Sequence, residues 1–208
     1  MGADERLYFF DDEELGIRKN ALEEHHFQRS TDRYNKAIKY CGRKGGLWLD
    51  AACGSGYGTE IISKVADYVV GIDIEPITIK YAQKYYGKHN IHFRVGDINN
   101  LEFDIESMFD IITGLEIIEH VHDCTHFLRR AYKILKPGGV LIVTTPISER
   151  GGPNPLNKYH LNELTRDGFT KLTSDIFDFT EYVVDDPVLF TSGELTRQIF
   201  GICRKREV

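Results

Sequence analysis

The chain lacks any long hydrophobic run. Although 41% of its 208 residues are hydrophobic, no stretch approaches the ~20 apolar residues that span a bilayer. Met1 to Glu14 is acidic where a secretory leader would be basic and then apolar, so the expectation is a cytoplasmic protein with no membrane partner. Cysteine is sparse. Cys41, Cys53, Cys124 and Cys203 lie far apart with no Cys-x-x-Cys pair, which excludes a disulfide framework and a thiolate zinc site and leaves free, buried thiols. An excess of positive charge is also missing. Lys and Arg number 26 against 32 Asp and Glu, a net charge of -6, so no general field draws nucleic acid and small molecules are the favoured partners. Arg204-Lys205-Arg206 is too short for a nucleic-acid footprint and reads as a frayed, solvated tail. There is no internal repeat or low-complexity tract, and the length suits one well-buried domain rather than two.

From Leu47 onward, short β-rich runs alternate with helical patterns, the rhythm of a parallel sheet covered by helices on both faces. Strands are predicted at Leu47 to Ala52, Tyr68 to Asp73, Ile91 to Val95, Phe109 to Gly114 and Val140 to Thr145. Helices are predicted at Tyr57 to Val65, at Pro76 to Tyr86, and at Asp123 to Leu135 with Pro137-Gly138-Gly139 as its stop. The rhythm then breaks. A Gly/Pro/Asn-rich loop, Glu149 to Lys158, leads to a helix at Leu161 to Leu172. Two final runs, Ile176 to Val184 and Arg197 to Arg204, have no helix between them and should pair antiparallel around an Asp185 to Glu194 loop. Ahead of the sheet, Asn20 to Tyr40 is helical and polar on one face. Residues 1–45 are therefore read as a helical lid and 46–208 as the domain proper.

The first predicted strand runs into Asp50-Ala51-Ala52-Cys53-Gly54-Ser55-Gly56-Tyr57-Gly58. Three glycines at alternate positions read as a turn where backbone comes close to a ligand. A ligand seated there reaches the carboxyl ends of neighbouring strands. Asp73 ends the second strand, where it can accept from both hydroxyls of a ribose, and Gly96-Asp97-Ile98 follows the third, where the acid can accept from an exocyclic amine. A nicotinamide dinucleotide has a similar fingerprint, but the third small residue of G-x-G-x-x-G/A would fall on Thr59. Asp50 beside the turn would also repel a diphosphate, whereas it could organise water or an ammonium group.

Together with Glu116 to Val121, Pro137-Gly138-Gly139 and the strand that follows, these segments resemble the class I S-adenosylmethionine-dependent methyltransferases that share D-x-x-C-G-x-G-Y-G and E-x-x-E-H. The resemblance runs from about Arg33-Tyr34 through the final hairpin. It implies an α/β, Rossmann-like seven-stranded sheet, mostly parallel with a reversed C-terminal hairpin strand and helices on both faces. The cofactor seat it implies is Asp50, Ala52, Gly54, Gly56, Asp73, Ile74, Asp97, Ile98 and Glu116. Gly54 and Gly56 approach the methionine portion, Asp73 holds the ribose, and Asp97 with Ile98 brackets the adenine. Ala52 stands where the pattern often has glycine, a departure that costs little because alanine is small.

Glu116-Ile117-Ile118-Glu119-His120 follows the fourth strand, and a helical turn there puts Glu116, Glu119 and His120 on one face. His160 lies in Asn157-Lys158-Tyr159-His160-Leu161-Asn162-Glu163, which is similar to an N-x-x-H-x-x-E segment of relatives. His120 and His160 are the candidate bases for a direct displacement at a methyl group. The same string also resembles the metal quartet of small-RNA 3′-terminal 2′-O-methyltransferases, by which Glu116, Glu119, His120 and His160 would hold a divalent ion of the manganese, iron, cobalt or zinc kind. The bland alternative has Glu116 lining the pocket, Glu119 and His120 bonding loops, and His160 shaping the entrance. His25, His26, His122 and His126 read as solvated histidines. Phe169, Phe177, Phe179, Tyr182 and Phe200 read as core, whereas Phe190 on the hairpin loop is a candidate acceptor contact. The function expected is methyl transfer to a hydroxyl, less readily an amine, of a small metabolite such as a sugar, nucleotide-sugar, quinone precursor or phosphorylated intermediate. The alternatives are a metal-dependent RNA-end methyltransferase and a non-catalytic cofactor-binding subunit.

Overall fold

The computed structural model describes residues 8–19, 24–101, 103, 105–185, 188–189 and 195–207, with backbone alone at 24–27, 188–189 and 195–196. The side chains of His25 and His26, the first turn expected of the N-terminal helix and Phe190 lie outside the described residues. In chain order the elements are α1 (Glu24–Cys41), β1 (Leu47–Ala51), α2 (Tyr57–Ile62), β2 (Tyr68–Asp73), α3 (Pro76–Tyr86), β3 (Ile91–Val95) and β4 (Phe109–Gly114). After a 3-10 turn at Ile118–His120 come α4 (Cys124–Ile134), β5 (Leu135–Pro146), α5 (Arg166–Ser174), β6 (Phe179–Val184), β7 (Val188–Leu189), β8 (Leu195–Thr196) and β9 (Gln198–Arg204).

Seven strands form one sheet in the order β3-β2-β1-β4-β5-β9-β6. The first five are parallel, and β9 runs antiparallel to both β5 and β6, with the small β7-β8 ribbon continuing their hairpin. Alternate strand residues feed opposite faces, as the two-residue period of a strand requires. Leu49, Ile72, Ile112, Leu141 and Val143 join Phe127 and Leu128 of α4 and Phe169 of α5. On the other face Trp48, Val69, Ile111, Ile142 and Phe200 join Ile62 of α2 and Tyr34, Ala37 and Cys41 of α1. Spaced at helical intervals, those last three make the apolar stripe of α1. The second half of the expected lid is thus part of the core.

Three local expectations need correction. The helix expected from Leu161 begins at Thr165, whose hydroxyl accepts from the Gly168 amide as an N-cap. The residues before it are extended, bridging Gly152 to Glu163 and Ile147 to Leu164. Pro137-Gly138-Gly139 does not stop α4, which ends at Ile134. That run is a bulge inside β5, where Lys136 to Gly139 stand opposite Asp110 alone, between the pairs Phe109–Leu135 and Ile111–Val140. The C-terminal tail is not frayed. Lys205 Nζ donates to the Tyr132 and Leu135 carbonyls at the end of α4, and the Arg206 amide donates to Asp178.

The third glycine of the turn serves packing rather than a ligand. A Cβ on Gly58 would lie 1.9 Å from the Tyr34 ring, so the residue exists to let α1 against α2. Gly58→Ala should therefore lose about 1–3 kcal/mol of stability in urea denaturation despite its better helix propensity. A variant as stable as the parent would show that the two helices are not pressed together here.

Candidate functional site

Strand β1 is hydrogen-bonded to β2 on one side and to β4 on the other, so the sheet order reverses at this point and opens a crevice beyond the strand ends. Asp50 lies beneath it, wholly buried. Its carboxylate accepts from Thr59 Oγ1 at 2.7 Å, from Thr113 Oγ1 at 2.9 Å and from the Tyr34 hydroxyl at 3.4 Å. Burial, opposed by these hydroxyls, raises its pKa to about 6. The protein groups that reach Asp50 are three hydroxyls from three elements.

Above Asp50 the turn is tied down by the Cys53 amide on the Ile72 carbonyl (2.8 Å) and the Gly54 amide on Asp73 Oδ2 (3.2 Å). A Cβ at Gly54 would meet nothing within 4 Å, leaving open space on the crevice side. Gly56 is needed for its φ of 94° and for contact with Ala82 and Phe93. Ala52 has φ 62°, so the cost of alanine there is conformational, about 1 kcal/mol, rather than steric.

At the end of β2, Asp73 is 2% exposed and its Oδ1 accepts from the Glu75 amide, while the neighbouring Ile74 is 54% exposed. After β3, Asp97 Oδ1 accepts from the amide and side chain of Asn99. Ile98 is packed in the core cluster that also holds Leu101, whereas Ile74 presents an exposed apolar face.

Glu116 departs most from expectation. Its φ of 53° breaks the helical turn, and its carboxylate accepts from Thr144 Oγ1 at 2.8 Å and Gln198 Nε2 at 2.5 Å, with Arg33 Nη2 at 3.6 Å. The metal quartet therefore becomes a trio. Glu119, His120 and His160 each offer a ligand atom, all within 4.8 Å of one another, and Glu116 does not join them. His120 Nδ1 lies 2.9 Å from the Tyr159 carbonyl and His160 Nδ1 lies 2.7 Å from Glu163 Oε1, the two rings meeting edge to face at 4.9 Å. Glu119 is 1% exposed and its Oε2 is buried with no hydrogen-bond partner. Burial and the nearby Glu116 charge push its pKa well above the ordinary carboxylate range.

The sequence reading did not single out Arg33, Tyr34, Thr59, Thr113, Gln198 or Glu163 as site residues. Glu163 had a signal, standing three residues after His160 in the N-x-x-H-x-x-E segment. Tyr34, Thr113 and Gln198 carried none, because they come from distant elements.

This geometry agrees with what the chain is similar to. Residues 49–143 match the Methyltransferase domain family. The chain carries a class I S-adenosylmethionine-dependent methyltransferase domain. A protein of Mycolicibacterium smegmatis described as a probable S-adenosylmethionine-dependent methyltransferase is 32% identical over 155 residues, covering 73% of this chain and 58% of that one. The ubiquinone biosynthesis O-methyltransferase of Azorhizobium caulinodans is 36% identical over 104 residues, covering 49% and 41%. The chain thus spans about half the length of the curated relatives it matches. The phosphoethanolamine N-methyltransferase 2 of Haemonchus contortus, solved with phosphomonomethylethanolamine and S-adenosylhomocysteine, superposes with a TM-score of 0.71 at 16% identity, over 85% of this chain and 53% of that one. The domain's cofactor is S-adenosylmethionine, and the residues fit it. Carboxylates surround the turn, which suits a sulfonium nucleoside and not a diphosphate. Among the described residues, no helix is long and apolar enough to cross a membrane.

Because folding raises the Asp50 pKa from an ordinary 3.8 to about 6, the folded state holds this proton over that window and the unfolded state does not. Stability contributed by the group is full below pH 3.8 and lost as pH rises through 6, about 3 kcal/mol in all. Asp50→Asn should remove that loss, so its urea midpoint relative to the parent should climb between pH 4 and pH 7. Parallel pH profiles for the two proteins would contradict the buried-carboxylate account.

Proposed function

We propose that this chain transfers the methyl group of S-adenosylmethionine to a hydroxyl oxygen of a small metabolite. In that step the acceptor oxygen forms a bond to the methyl carbon as the carbon–sulfur bond breaks, its electron pair staying on sulfur, and the hydroxyl proton is released. Alignment supplies most of the acceleration, and activation of the weak hydroxyl nucleophile the rest.

One observation carries the reading. Two imidazoles stand immediately beyond β4, next to the strand that carries the cofactor turn, with Nδ1 of each occupied by an oxygen acceptor. Nε2 of His120 and His160 are then the groups we assign to hydroxyl activation, either by taking the proton or by holding a cation that acidifies it. In the cofactor seat we assign the backbone at Ala52, Gly54 and Gly56 to the methionine portion, Asp73 to the ribose hydroxyls, Asp97 to the adenine amine, Ile74 to the adenine face, and Glu116 to the ammonium side of the pocket. The hydroxyl acceptor is supported by the ubiquinone biosynthesis O-methyltransferase among the relatives. Covering segments, in this reading, are the part of 1–45 that precedes Tyr34, the loop 149–159 and the hairpin beyond Asp185. Residues 46–208 with the anchored half of α1 form the transferring domain.

Two measurements test the assignment. Calorimetry with S-adenosylhomocysteine should show Asp73→Ala binding roughly ten- to a hundredfold more weakly, as loss of charge-assisted bonds predicts, and undiminished affinity would remove Asp73 from the seat. With an acceptor found by methyl-dependent mass gain across sugar, quinone and phosphorylated pools, His120→Ala and His160→Ala should lower turnover by about 10²-fold or more while S-adenosylhomocysteine affinity changes little. Parental rates in both variants would contradict the role given to the histidines.

A further inference from the structure

We propose that Arg29 and Arg33 of α1 form an oxyanion site on the acceptor side of the crevice, so that the metabolite methylated carries a carboxylate or phosphate besides the group that receives the methyl. This narrows the acceptor class proposed above and rests on that reading for where the acceptor lies, not for which of its atoms is methylated.

Helix α1 runs against the direction of the parallel strands. Just past its end, Arg43 Nη1 donates to the Gly138 carbonyl at the foot of β5, so its early turns reach toward the carboxyl ends of the strands. Two stripes of its surface meet different parts of the molecule. Tyr34, Ala37 and Cys41 form the apolar stripe, and Tyr34 meets Asp50 and the Tyr57 ring at the cofactor turn. Arg29, Arg33 and Lys36, four and three residues apart, form a basic stripe beside it. That stripe is turned to the far half of the sheet. Arg33 Nε donates to Gln198 Oε1 at 3.2 Å, and Lys36 pairs with Asp185 just after β6. Gln198 stands opposite Pro146 at the end of β5, and Glu116, which Arg33 also meets, opens the segment that carries His120. Since Arg33 is already level with a strand end, Arg29 stands one helical turn, about 5 Å, further out over the mouth of that half.

The charge balance there is the reverse of the chain's. The whole sequence carries -6. Glu116 is the carboxylate set against both guanidiniums, 3.6 Å from Arg33 Nη2 and acting on the charge of Arg29, and it is shared with Thr144 and Gln198. Two guanidiniums against one shared carboxylate carry a positive excess. Nor is this an ordinary solvated face, because the Arg33 side chain is only 16% exposed and Arg29 is half-buried. Burial and then the charge of Arg33 draw the Arg29 guanidinium below its ordinary value, with Glu116 opposing them. Like charges four residues apart on a helix repel, and an anion held between them relieves both the repulsion and the excess. The planar donor forks of two arginines suit the paired oxygens of a carboxylate or phosphate. The methionine carboxylate of the cofactor has the same chemistry. Because α1 turns Tyr34, not the arginines, to the cofactor turn, the acceptor is the source assigned.

The test is thermal melting of the protein saturated with S-adenosylhomocysteine, titrated with inorganic phosphate and, at equal ionic strength, with sodium chloride. A saturable rise with phosphate alone is expected. Arg29→Gln, a half-buried position outside the apolar stripe, should weaken phosphate about tenfold or more while calorimetry shows S-adenosylhomocysteine affinity within about twofold of the parent. An effect of phosphate no larger than that of chloride, or one that Arg29→Gln and Arg33→Gln both leave unchanged, would overturn the site. Phosphate binding seen only without S-adenosylhomocysteine, with Arg29→Gln losing affinity for that nucleoside, would give the arginines to the cofactor's carboxylate and overturn the acceptor assignment. For the acceptor identified by mass gain, the analogue with its anionic group esterified or removed should lose about tenfold or more in kcat/KM with the parent and little with Arg29→Gln, as a coupled pair requires. An acceptor without an anionic group, methylated on oxygen equally by both proteins, would overturn the inference and leave the O-methylation reading intact. Methylation of an anionic metabolite on nitrogen alone would sustain the site and remove that reading.

Discussion

A single buried carboxylate sets the terms for the rest of the molecule. Asp50 sits at the reversal point of the sheet, and an anion there is unfavourable unless donors come to it. The donors arrive from three directions: Tyr34 on α1, Thr59 on α2 and Thr113 on β4. Each bond therefore does two things, offsetting desolvation and fixing one element against the end of β1. Gly58 belongs to the same arrangement, since the close approach of Tyr34 to the carboxylate needs a helix without a Cβ at that point. The glycine turn above Asp50 is thus held from below by hydroxyls and from the side by Asp73, which bonds the Gly54 amide. A seat built this way is formed before any ligand enters it.

Glu116 joins that seat to β5, β9 and α1. Its backbone occupies the left-handed region, a conformation that costs a non-glycine residue about 1–3 kcal/mol and persists only where surroundings enforce it. Here the enforcement is visible. The Glu116 amide donates to Thr144 Oγ1 at 2.9 Å, the same hydroxyl donates back to Glu116 Oε1, and Gln198 and Arg33 take up Oε2. Strands β5 and β9 and helix α1 are tied by one side chain. By turning aside, Glu116 leaves Glu119 grouped with the two histidines.

Much of this was legible in the sequence, for physical reasons that differ from part to part. The parallel strands announce themselves because both faces are buried and local apolar runs suffice, and the antiparallel end follows from a connection too short for a crossover helix. Asp73 and the glycine turn are legible because strand ends and positive φ constrain residue type locally. The errors fall where distant groups decide. Helical spacing from Leu161 lost to amides captured by the Glu119 carbonyl and to the Gly152 bridge. The expected face of Glu116, Glu119 and His120 lost to Thr144, a residue of β5 with no local signal. The basic tail looked solvated, yet the carbonyls left open at the end of α4 give Lys205 its place.

The same long-range bonds decide which parts of the site are free to vary. Residues 119–121 and 159–163 are clasped, backbone to backbone by the Leu161 and Asn162 amides on the Glu119 carbonyl, and side chain to backbone by Asn162 Nδ2 on the Val121 carbonyl at 2.6 Å and His120 Nδ1 on the Tyr159 carbonyl. Both histidines are consequently held in place by several long-range bonds, as the role proposed for them requires. Lys36 of α1 pairs with Asp185 just after β6, which ties α1 to that end of the sheet as well. On the O-methylation reading proposed above, the chemistry sits on this clasp, and a change of acceptor is accommodated in the segments that lie outside it.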